Sequence, residues 1–213
     1  MASTLLLCFA GPLQSWGSRS SFSHRETDSE PTRSGVIGML ALALGQKSNV
    51  DQSLFTGLKM GVRVDQEGTT LTDYHTTRNV YKADGSRSTK QVCTLSYRDY
   101  LCDAVFLVGL ESDNTALIDR LFAAVEHPHR TLTLGRYCCV NSRKIAIEVV
   151  EKPVLQALLQ HPPLTEAEED AQYRFIMETA PGQGTERQDV PISFEKRLFI
   201  PRWVTNQYYK LEV

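Results

Sequence analysis

The chain has 213 residues, of which 41% are hydrophobic and 23% charged, and its formal net charge is −2. This ordinary globular composition excludes a disordered chain, a collagen and a coiled coil, and the near-zero charge provides no overall positive field for nucleic acid. The five cysteines include no CxxC spacing, which favours free thiols in a reducing compartment over a disulfide framework or a zinc site, and the sequence predicts no metal or cofactor.

The first half of the chain alternates apolar runs with turns. Residues 3–9 form a short apolar run with no basic residue before it, which predicts a buried strand, no signal peptide and no membrane segment; a cytoplasmic protein is expected. Residues 31–45 place apolar side chains at helical spacing between a proline and a glycine, which predicts a helix. Residues 58–64 alternate as in a half-buried strand, and residues 71–75 are predicted to return as its partner.

The second half repeats the order of strand, helix and strand. An apolar run at 104–110 predicts a buried strand, and Asp113 is predicted to cap a helix that ends before Pro128. Shorter patterns predict strands at 131–134 and 145–150, a helix at 153–160, a strand at 173–178, a loop at 180–191 and an extended segment at 192–204.

This order of elements favours an α+β fold. Split βαβ units build antiparallel sheets with helices on one face, so the sequence predicts a ferredoxin-like (RRM-like) core. We expect a single domain over residues 1–213. Residues 76–98 are expected to project from it as a basic β-hairpin, and residues 150–213 to form a C-terminal extension that decorates the core.

Basic residues are concentrated in two segments of the chain. Residues 74–98 contain five basic residues and one acid, residues 127–147 contain four basic residues and no acid, and tyrosines are interleaved in both. Asp84-Gly85 in the first segment predicts a hairpin turn between polar arms that have little to bury. Such segments are either solvated surface or a basic face for phosphate groups.

Two early loops offer candidate ligand contacts. At the start of the first helix, free backbone N–H groups together with Arg33, Ser34 and Gly35 suit an anion, although plain helix capping uses the same residue types. In the loop after the first strand, Gln14 can read the edge of a base and Trp16 can stack on one. The alternative is that Trp16 fills the core under this loop.

Two later segments offer further candidates. Gly135 allows a phosphate to approach the backbone, and Tyr137 can stack on a base. His75 is followed closely by Arg78 and Lys82, and a histidine near a basic residue could activate a ribose 2′-hydroxyl and cleave RNA without a metal. The alternative for His75 is a strand-end histidine that only makes a hydrogen bond. Nucleophile elbows, P-loops and HExxH motifs are absent from the sequence.

Several sequence motifs together indicate one family. They are GPLQSWG at 11–17, PTRSGVIGMLALALG at 31–45, LTDYHTTRNV at 71–80, LSYRDYLCDAVFLVGL at 95–110 and TLTLGRYCC at 131–139. By these motifs the chain resembles the CasD-type subunits of Cascade, the type I-E CRISPR surveillance complex, which belong to the RAMP superfamily. The resemblance covers most of residues 3–150, and RLFIPRWV at 197–204 is similar to the family's closing segment.

The resemblance implies a RAMP core of ferredoxin-like fold with a thumb hairpin, in a ribonucleoprotein of antiviral defence. Such subunits hold the repeat-derived 5′ handle of the CRISPR guide RNA and cap one end of the backbone filament. They touch the neighbouring Cascade backbone subunit and the large PAM-reading subunit, so they meet target DNA only indirectly. From the patterns and the resemblance together, the predicted RNA-binding residues are Gln14, Ser15, Trp16, Arg33, Ser34, Gly35, His75, Arg78, Lys82, Arg87, Lys90, Gly135, Arg136 and Tyr137.

The resemblance also bears on catalysis. In type I-E systems a separate nuclease cuts the precursor RNA, which implies that this subunit is not an enzyme. A related subtype uses the same family as the processing nuclease. The alternative function is therefore a metal-independent endoribonuclease, for which His75 would be the catalytic residue.

Overall fold

A computed structural model describes residues 2–17, 23–47, 49–78, 81, 85–86, 93–166 and 170–212. Within these ranges the strands are β1 (Ser3–Ala10), β2 (Leu13–Gln14), β3 (His24–Arg25), β4 (Lys59–Gln66), β5 (Thr69–Thr77), β6 (Thr94–Cys102), β7 (Val105–Ser112), β8 (Ala146–Val150), β9 (Gln172–Thr179), β10 (Thr185–Ser193) and β11 (Leu198–Lys210). The helices are α1 (Arg33–Ala43), α2 (Thr115–Glu126) and α3 (Val154–Gln160), with a short 3₁₀ helix at Gln52–Phe55. No helix in the described part of the chain could cross a membrane.

Seven strands form the main sheet, in the order β10–β11–β9–β4–β7–β1–β8, and all neighbours are antiparallel. The four strands β8–β1–β7–β4, connected through α1 and α2, have the order that two interleaved split βαβ units produce. The predicted α+β fold with a ferredoxin-like core is therefore confirmed. Strands β9, β10 and β11 extend the same sheet beyond β4.

Both faces of the main sheet are covered, which explains the uninterrupted apolar run of β1. Alternate side chains of a strand point to opposite faces. Leu5, Leu7 and Phe9 pack in the cluster that contains α1 and α2, whereas Leu6 packs in the cluster that contains α3. The first two helices share one face as predicted. The third covers the other face, which corrects the expectation that all helices lie on one side.

The helix boundaries follow from capping chemistry. Thr32 caps α1, since its hydroxyl accepts a hydrogen bond from the Gly35 N–H at 3.3 Å, and Gly45 follows the helix with a φ of +79°. The predicted first helix is thus confirmed. The predicted cap of α2, Asp113, is wrong. Asn114 caps this helix, because its Oδ1 accepts a hydrogen bond from the Leu117 N–H, three residues later, at 3.1 Å.

A second sheet is formed by β5 and β6, which lie between β4 and β7 in the chain, together with the short strands β2 and β3. The prediction that residues 71–75 pair with β4 is wrong, because β4 is bound on both edges by β7 and β9. Instead β5 pairs with β6 over its whole length, from Thr69 opposite Cys102 to Thr77 opposite Thr94. On the other edge of β6, β2 pairs antiparallel and β3 parallel.

Two other segments differ from the predictions. Residues 180–191 were expected to be a loop, yet residues 185–193 form β10, which pairs antiparallel with β11 through two register shifts. The side chains of β10 are mostly polar, so no apolar alternation marks it as a strand. Residues 131–134 contribute only an isolated bridge between Thr133 and Val140, because the chain turns at once after it.

Arg63 on β4 is a fully buried charge that connects the sheet to α3. Its Nη1 donates to the carbonyl oxygens of Leu158 and His161 at 2.6 Å each, and its Nη2 donates to that of Pro162 at 2.8 Å. Its Nε and Nη2 also pair with the Asp65 carboxylate at 2.7 and 2.8 Å. The guanidinium thereby satisfies backbone oxygens at and beyond the C-terminal end of α3, where a helix leaves acceptors unpaired.

Candidate nucleic-acid interface

The loop after β1 contains two predicted RNA contacts, and the structure buries both. Gln14 Nε2 donates to the Ala104 carbonyl oxygen at 2.7 Å, and Gln14 Oε1 accepts from Trp16 Nε1 at 2.9 Å. The Trp16 ring stacks on Phe9 with 5.4 Å between the ring centroids. Both side chains are at most 1% exposed, and their polar atoms have partners. This corrects the prediction of direct RNA contact and supports the alternative that Trp16 fills the core.

Arg33, predicted to face a phosphate, is engaged within the protein. Its Nη1 donates to Glu178 Oε1 at 2.6 Å, its Nη2 donates to the Leu58 carbonyl oxygen at 2.7 Å, and its backbone N–H donates to Asp189 Oδ2 at 2.7 Å. The side chain is 9% exposed. A group bound in this way has no free donor directed to solvent, so the predicted phosphate contact is corrected to a structural role.

The neighbours of Arg33 have packing roles as well. Gly35 gives room to a ring of the core, since a Cβ there would lie 2.9 Å from Trp16 Cε3. Ser34 is half-buried, and its hydroxyl lies 3.5 Å from the Thr32 hydroxyl. The start of α1 is therefore a capped and closed helix end, which is the alternative that the residue types left open.

The helix start belongs to a network of ion pairs with β9, β10 and β11. Arg202 pairs with Asp189 through two hydrogen bonds of 2.7 and 2.9 Å and reaches Glu178 at 3.3 Å. Burial by itself would lower the pKa of Arg202, but the hydrogen bond and charge of Asp189 raise that pKa above its ordinary value. A second cluster pairs Arg187 with Glu30, and Arg174 with Glu30 and Glu67. These arginines are neutralised by the protein and do not form an open cationic surface.

Two of the predicted motifs meet backbone to backbone. The Ser15 N–H donates to the Leu134 carbonyl oxygen at 2.9 Å. Gly135 has a φ of +98°, and a Cβ at this position would overlap the Ser15 carbonyl oxygen, so only glycine fits. Ser15 is itself buried. These two residues thus join loops that are far apart in the sequence and present no side chain to RNA.

Residues 133–140, here named the tyrosine loop, lie against the second sheet. Arg136 Nη1 donates to the Asp99 carbonyl oxygen and Nη2 to that of Arg25, both at 2.8 Å, and Arg136 Cζ lies 4.6 Å from the Tyr100 ring centroid. The next residue, Tyr137, is 84% exposed. Of the predicted pair, Arg136 is engaged by the protein and Tyr137 is available to a ligand.

One face of the second sheet bears a row of exposed rings, here named the aromatic row. Tyr97 on β6 contacts His24 on β3 and Tyr74 on β5, with centroid separations of 5.5 and 5.4 Å. Tyr74 and Tyr97 are 55% and 42% exposed. The two tyrosines were visible in the basic segment of the sequence, but His24 was missed because its two-residue strand has no period.

The opposite face of the same sheet has a groove of about 570 Å³, here named the cationic groove. It is lined by Ser23, Arg25, Thr77, Thr94, Leu95, Ser96 and Arg98. Arg98 Nε donates to Ser96 Oγ at 3.1 Å, and among the described residues no carboxylate lies within ion-pair distance of Arg25 or Arg98. Sequence reasoning counted Arg98 among the basic residues but identified neither arginine as a site residue.

His75 lies on the same face of β5 as the groove, in register with Ser96. Its Nδ1 is 3.1 Å from Asp73 Oδ2, and its side chain is 39% exposed. Tyr74 points to the opposite face, as strand alternation requires. Arg78, at the end of β5, is exposed. The remaining predicted contacts, Lys82, Arg87 and Lys90, lie outside the described residues.

Cys139 in the tyrosine loop does not provide a thiolate nucleophile. Burial, and then the neighbouring Cys138, raise the pKa of Cys139 to about 12, so its thiol stays protonated at neutral pH. In the ranges that the structure describes, no three His, Cys, Asp or Glu side chains converge as a metal ion would require. The exposed rings of the aromatic row can stack on bases, and Arg25 and Arg98 of the cationic groove can bind anions.

The family follows from sequence comparison. The family model described as CRISPR-associated protein (Cas_Cas5) matches residues 4–205, and the chain belongs to this family of CRISPR-associated proteins. Within it, the chain is similar to the CRISPR system Cascade subunit CasD of Escherichia coli (strain K12). The two are 35% identical over 181 residues, which cover 77% of this chain and 79% of that protein. The resemblance to CasD-type subunits is confirmed.

Two solved structures agree with this assignment. A crystal structure of a Cas protein is 37% identical, with a TM-score of 0.80 over 98% of this chain and 96% of that one. A chain of a CRISPR RNA-guided surveillance complex is 31% identical, with a TM-score of 0.84 over 98% of this chain and 90% of that one. The ferredoxin-like architecture derived above is therefore shared with CRISPR-associated proteins over nearly the whole chain.

Proposed function

We propose that this protein is a non-catalytic, RNA-binding subunit of a cytoplasmic Cascade-type surveillance complex. In this role it holds the 5′ handle of the CRISPR guide RNA and caps one end of the backbone filament. Similarity to a Cascade subunit, and to a chain of an RNA-guided surveillance complex, supports the assembly. The exposed groups of the second sheet support the RNA contact independently of the similarity to other proteins.

The observation that supports RNA binding is a set of exposed groups from distant segments on the two faces of the second sheet. The tyrosine loop, the aromatic row and the cationic groove all adjoin β6, and Arg136 links the loop to both β3 and β6. Exposed rings stack on unpaired bases, and arginines without carboxylate partners contact phosphates. A chain with a net charge of −2 thereby presents, on either side of β6, exposed groups suited to single-stranded RNA.

We expect Tyr137→Ala to weaken binding of the guide RNA by about 1–3 kcal/mol, the range for loss of one base–aromatic stack. The matched control is Tyr208→Ala, since Tyr208 is 64% exposed but lies on β11 of the main sheet. Both variants should unfold at nearly the wild-type temperature because exposed positions contribute little to stability. Fluorescence anisotropy with labelled handle RNA checks this. Equal affinities for the two variants would contradict the assignment of the surface.

Lys82, Arg87 and Lys90, between β5 and β6, are proposed to bind the RNA backbone without base specificity. Replacing all three by glutamate should weaken guide binding and flatten the dependence of affinity on salt. For single strands, each lost phosphate contact lowers the log–log slope by roughly 0.7. The control is the same charge change at Lys47, Arg120 and Lys196, which are exposed elsewhere. A log–log salt slope that stays at the wild-type value in the triple glutamate variant of Lys82, Arg87 and Lys90 rules this role out.

The proposed partners are the guide RNA, the Cascade backbone subunit and the large PAM-reading subunit, with target DNA met through the complex. If the subunit caps the filament at the handle, RNA that co-purifies with the tagged protein should begin at one uniform 5′ end. Sequencing of the bound RNA measures this. Bound RNA with scattered 5′ ends would argue against a handle-binding cap.

The alternative function is a metal-independent endoribonuclease, and the contact between His75 and Asp73 is the observation that favours it. A nuclease of this kind needs a base at the 2′-hydroxyl and an acid at the leaving oxygen. Tyr74 points to the other face of the sheet, so it does not supply that second group.

We therefore expect no site-specific cleavage of repeat RNA and near-normal guide retention in His75→Ala. The measurement is a time course with labelled repeat RNA, excess protein and a chelator. His24→Ala, on the opposite face, is the matched control. Cleavage by the wild type that is lost in His75→Ala and kept in His24→Ala would establish the nuclease instead.

A further inference from the structure

The Arg136 guanidinium bridges three parts of the molecule. Its two terminal nitrogens each donate to a backbone carbonyl oxygen at 2.8 Å, one on β6 (Asp99) and one on β3 (Arg25). The face of the Tyr100 ring lies 4.6 Å from its central carbon, a distance typical of a cation–π contact. The planar fork of an arginine suits such an arrangement, and a lysine ammonium cannot reproduce it.

The tyrosine loop is also closed on itself. The Leu134 N–H donates to the Cys139 carbonyl oxygen, and the Cys139 N–H donates to the Arg136 carbonyl oxygen, each at 2.8 Å. Gly135 packs directly on the backbone of the loop after β1. Tyr137 is the most protruding part of this anchored turn and is 84% exposed. The backbone that carries this ring is thus held by its neighbours, while the ring itself stays open to solvent.

We infer that Arg136 is a positioning residue, which fixes the tyrosine loop so that the backbone carrying Tyr137 is in place before RNA arrives, and that it does not itself bind phosphate. This inference rests on the proposed function of the surface. Ordering a loop in advance lowers the entropic cost of binding, and loss of that order should weaken binding by about three- to tenfold. It differs from the prediction from sequence, in which Arg136 contacts RNA directly.

Salt dependence separates positioning from phosphate contact. We expect Arg136→Ala and Arg136→Lys to weaken handle binding to a similar extent, with the log–log salt slope unchanged in both. A phosphate contact predicts the opposite, because lysine would keep most of the affinity and alanine would lower the slope by roughly 0.7. In a Tyr137→Ala background, Arg136→Ala should cause little further loss, since the two residues act as one unit. The inference is overturned if Arg136→Lys keeps most of the RNA affinity and Arg136→Ala has a reduced log–log salt slope.

A second measurement does not require RNA. Amide hydrogen exchange of the full-length protein should be faster at Leu134 and Cys139 in both Arg136 variants and unchanged in Tyr137→Ala. Unchanged exchange in the Arg136 variants overturns the positioning role. If the Arg136 variants exchange faster at these amides but bind handle RNA as tightly as the wild type, the link between loop order and binding is overturned. If the wild type itself fails to bind handle RNA, the proposed function fails, and the exchange result still decides whether Arg136 fixes the loop.

Discussion

Replacing Arg63 with alanine should lower the free energy of unfolding by about 3–5 kcal/mol, the range for removing one member of a buried ion pair. Arg63 and Asp65 both have 0% side-chain exposure, so Asp65 would be left buried without its cationic partner, keeping among the described residues only the hydrogen bond from the Leu164 N–H. The carbonyl oxygens of Leu158, His161 and Pro162 would also lose their donor. We expect α3 and the segment after it to detach first from the main sheet.

Urea unfolding followed by circular dichroism measures this loss. Arg63→Lys keeps the charge but not the planar guanidinium, so its stability should lie between those of Arg63→Ala and the wild type. It also provides a second variant to measure if Arg63→Ala does not fold. Arg120→Ala, an exposed arginine on α2, is the matched control and should change stability by less than about 0.5 kcal/mol. A loss below about 1 kcal/mol for Arg63→Ala would show that Arg63 does not support the fold as its contacts indicate.

Arg33→Ala is expected to cost about 3 kcal/mol of stability and to leave the RNA affinity of the folded protein unchanged. The loss lies at the lower end of the range for buried pairs because Glu178 keeps a second partner, Arg202, at 3.3 Å. The Leu58 carbonyl oxygen would lose its charged donor. This expectation reverses the prediction from sequence, in which Arg33 was exposed and faced a phosphate.

Thermal unfolding and handle-RNA binding, measured on the same preparation well below the unfolding transition, test both parts. Lys47→Ala removes an exposed charge just beyond α1 and serves as the control. A variant with wild-type unfolding and weakened RNA binding would restore the phosphate role of Arg33.

The different outcomes at the start of α1 show what the sequence can predict. The Thr32 cap and the Gly45 end depend on neighbours within four residues, so the local pattern was sufficient. The partners of Arg33 and Gln14 are remote: Glu178 and Asp189 lie on C-terminal strands, and the Ala104 carbonyl precedes β7. No local pattern distinguishes an arginine that meets a phosphate from one that meets a remote carboxylate.

The same reason explains which parts of the candidate site were found. Tyr137 was predicted as a contact because it follows a glycine and an arginine in a basic segment. Tyr74 and Tyr97 were noted only as tyrosines interleaved among basic residues and were not predicted as contacts. His24 and Arg25 were missed, since they join β6 through a two-residue parallel strand. The strand β10 was missed because it is held by pairing with β11 and by ion pairs, not by an apolar face.

The central claim is that the second sheet and the tyrosine loop hold the 5′ handle of the guide RNA. Photocrosslinking tests it most directly: the complex is assembled on guide RNA with 4-thiouridine at single handle positions, irradiated, and the crosslinked peptides are identified by mass spectrometry. We predict crosslinks to peptides that contain Tyr137 and to peptides of β5 and β6 with Tyr74 and Tyr97. Handle crosslinks confined to β9–β11, or to other subunits alone, would contradict the claim.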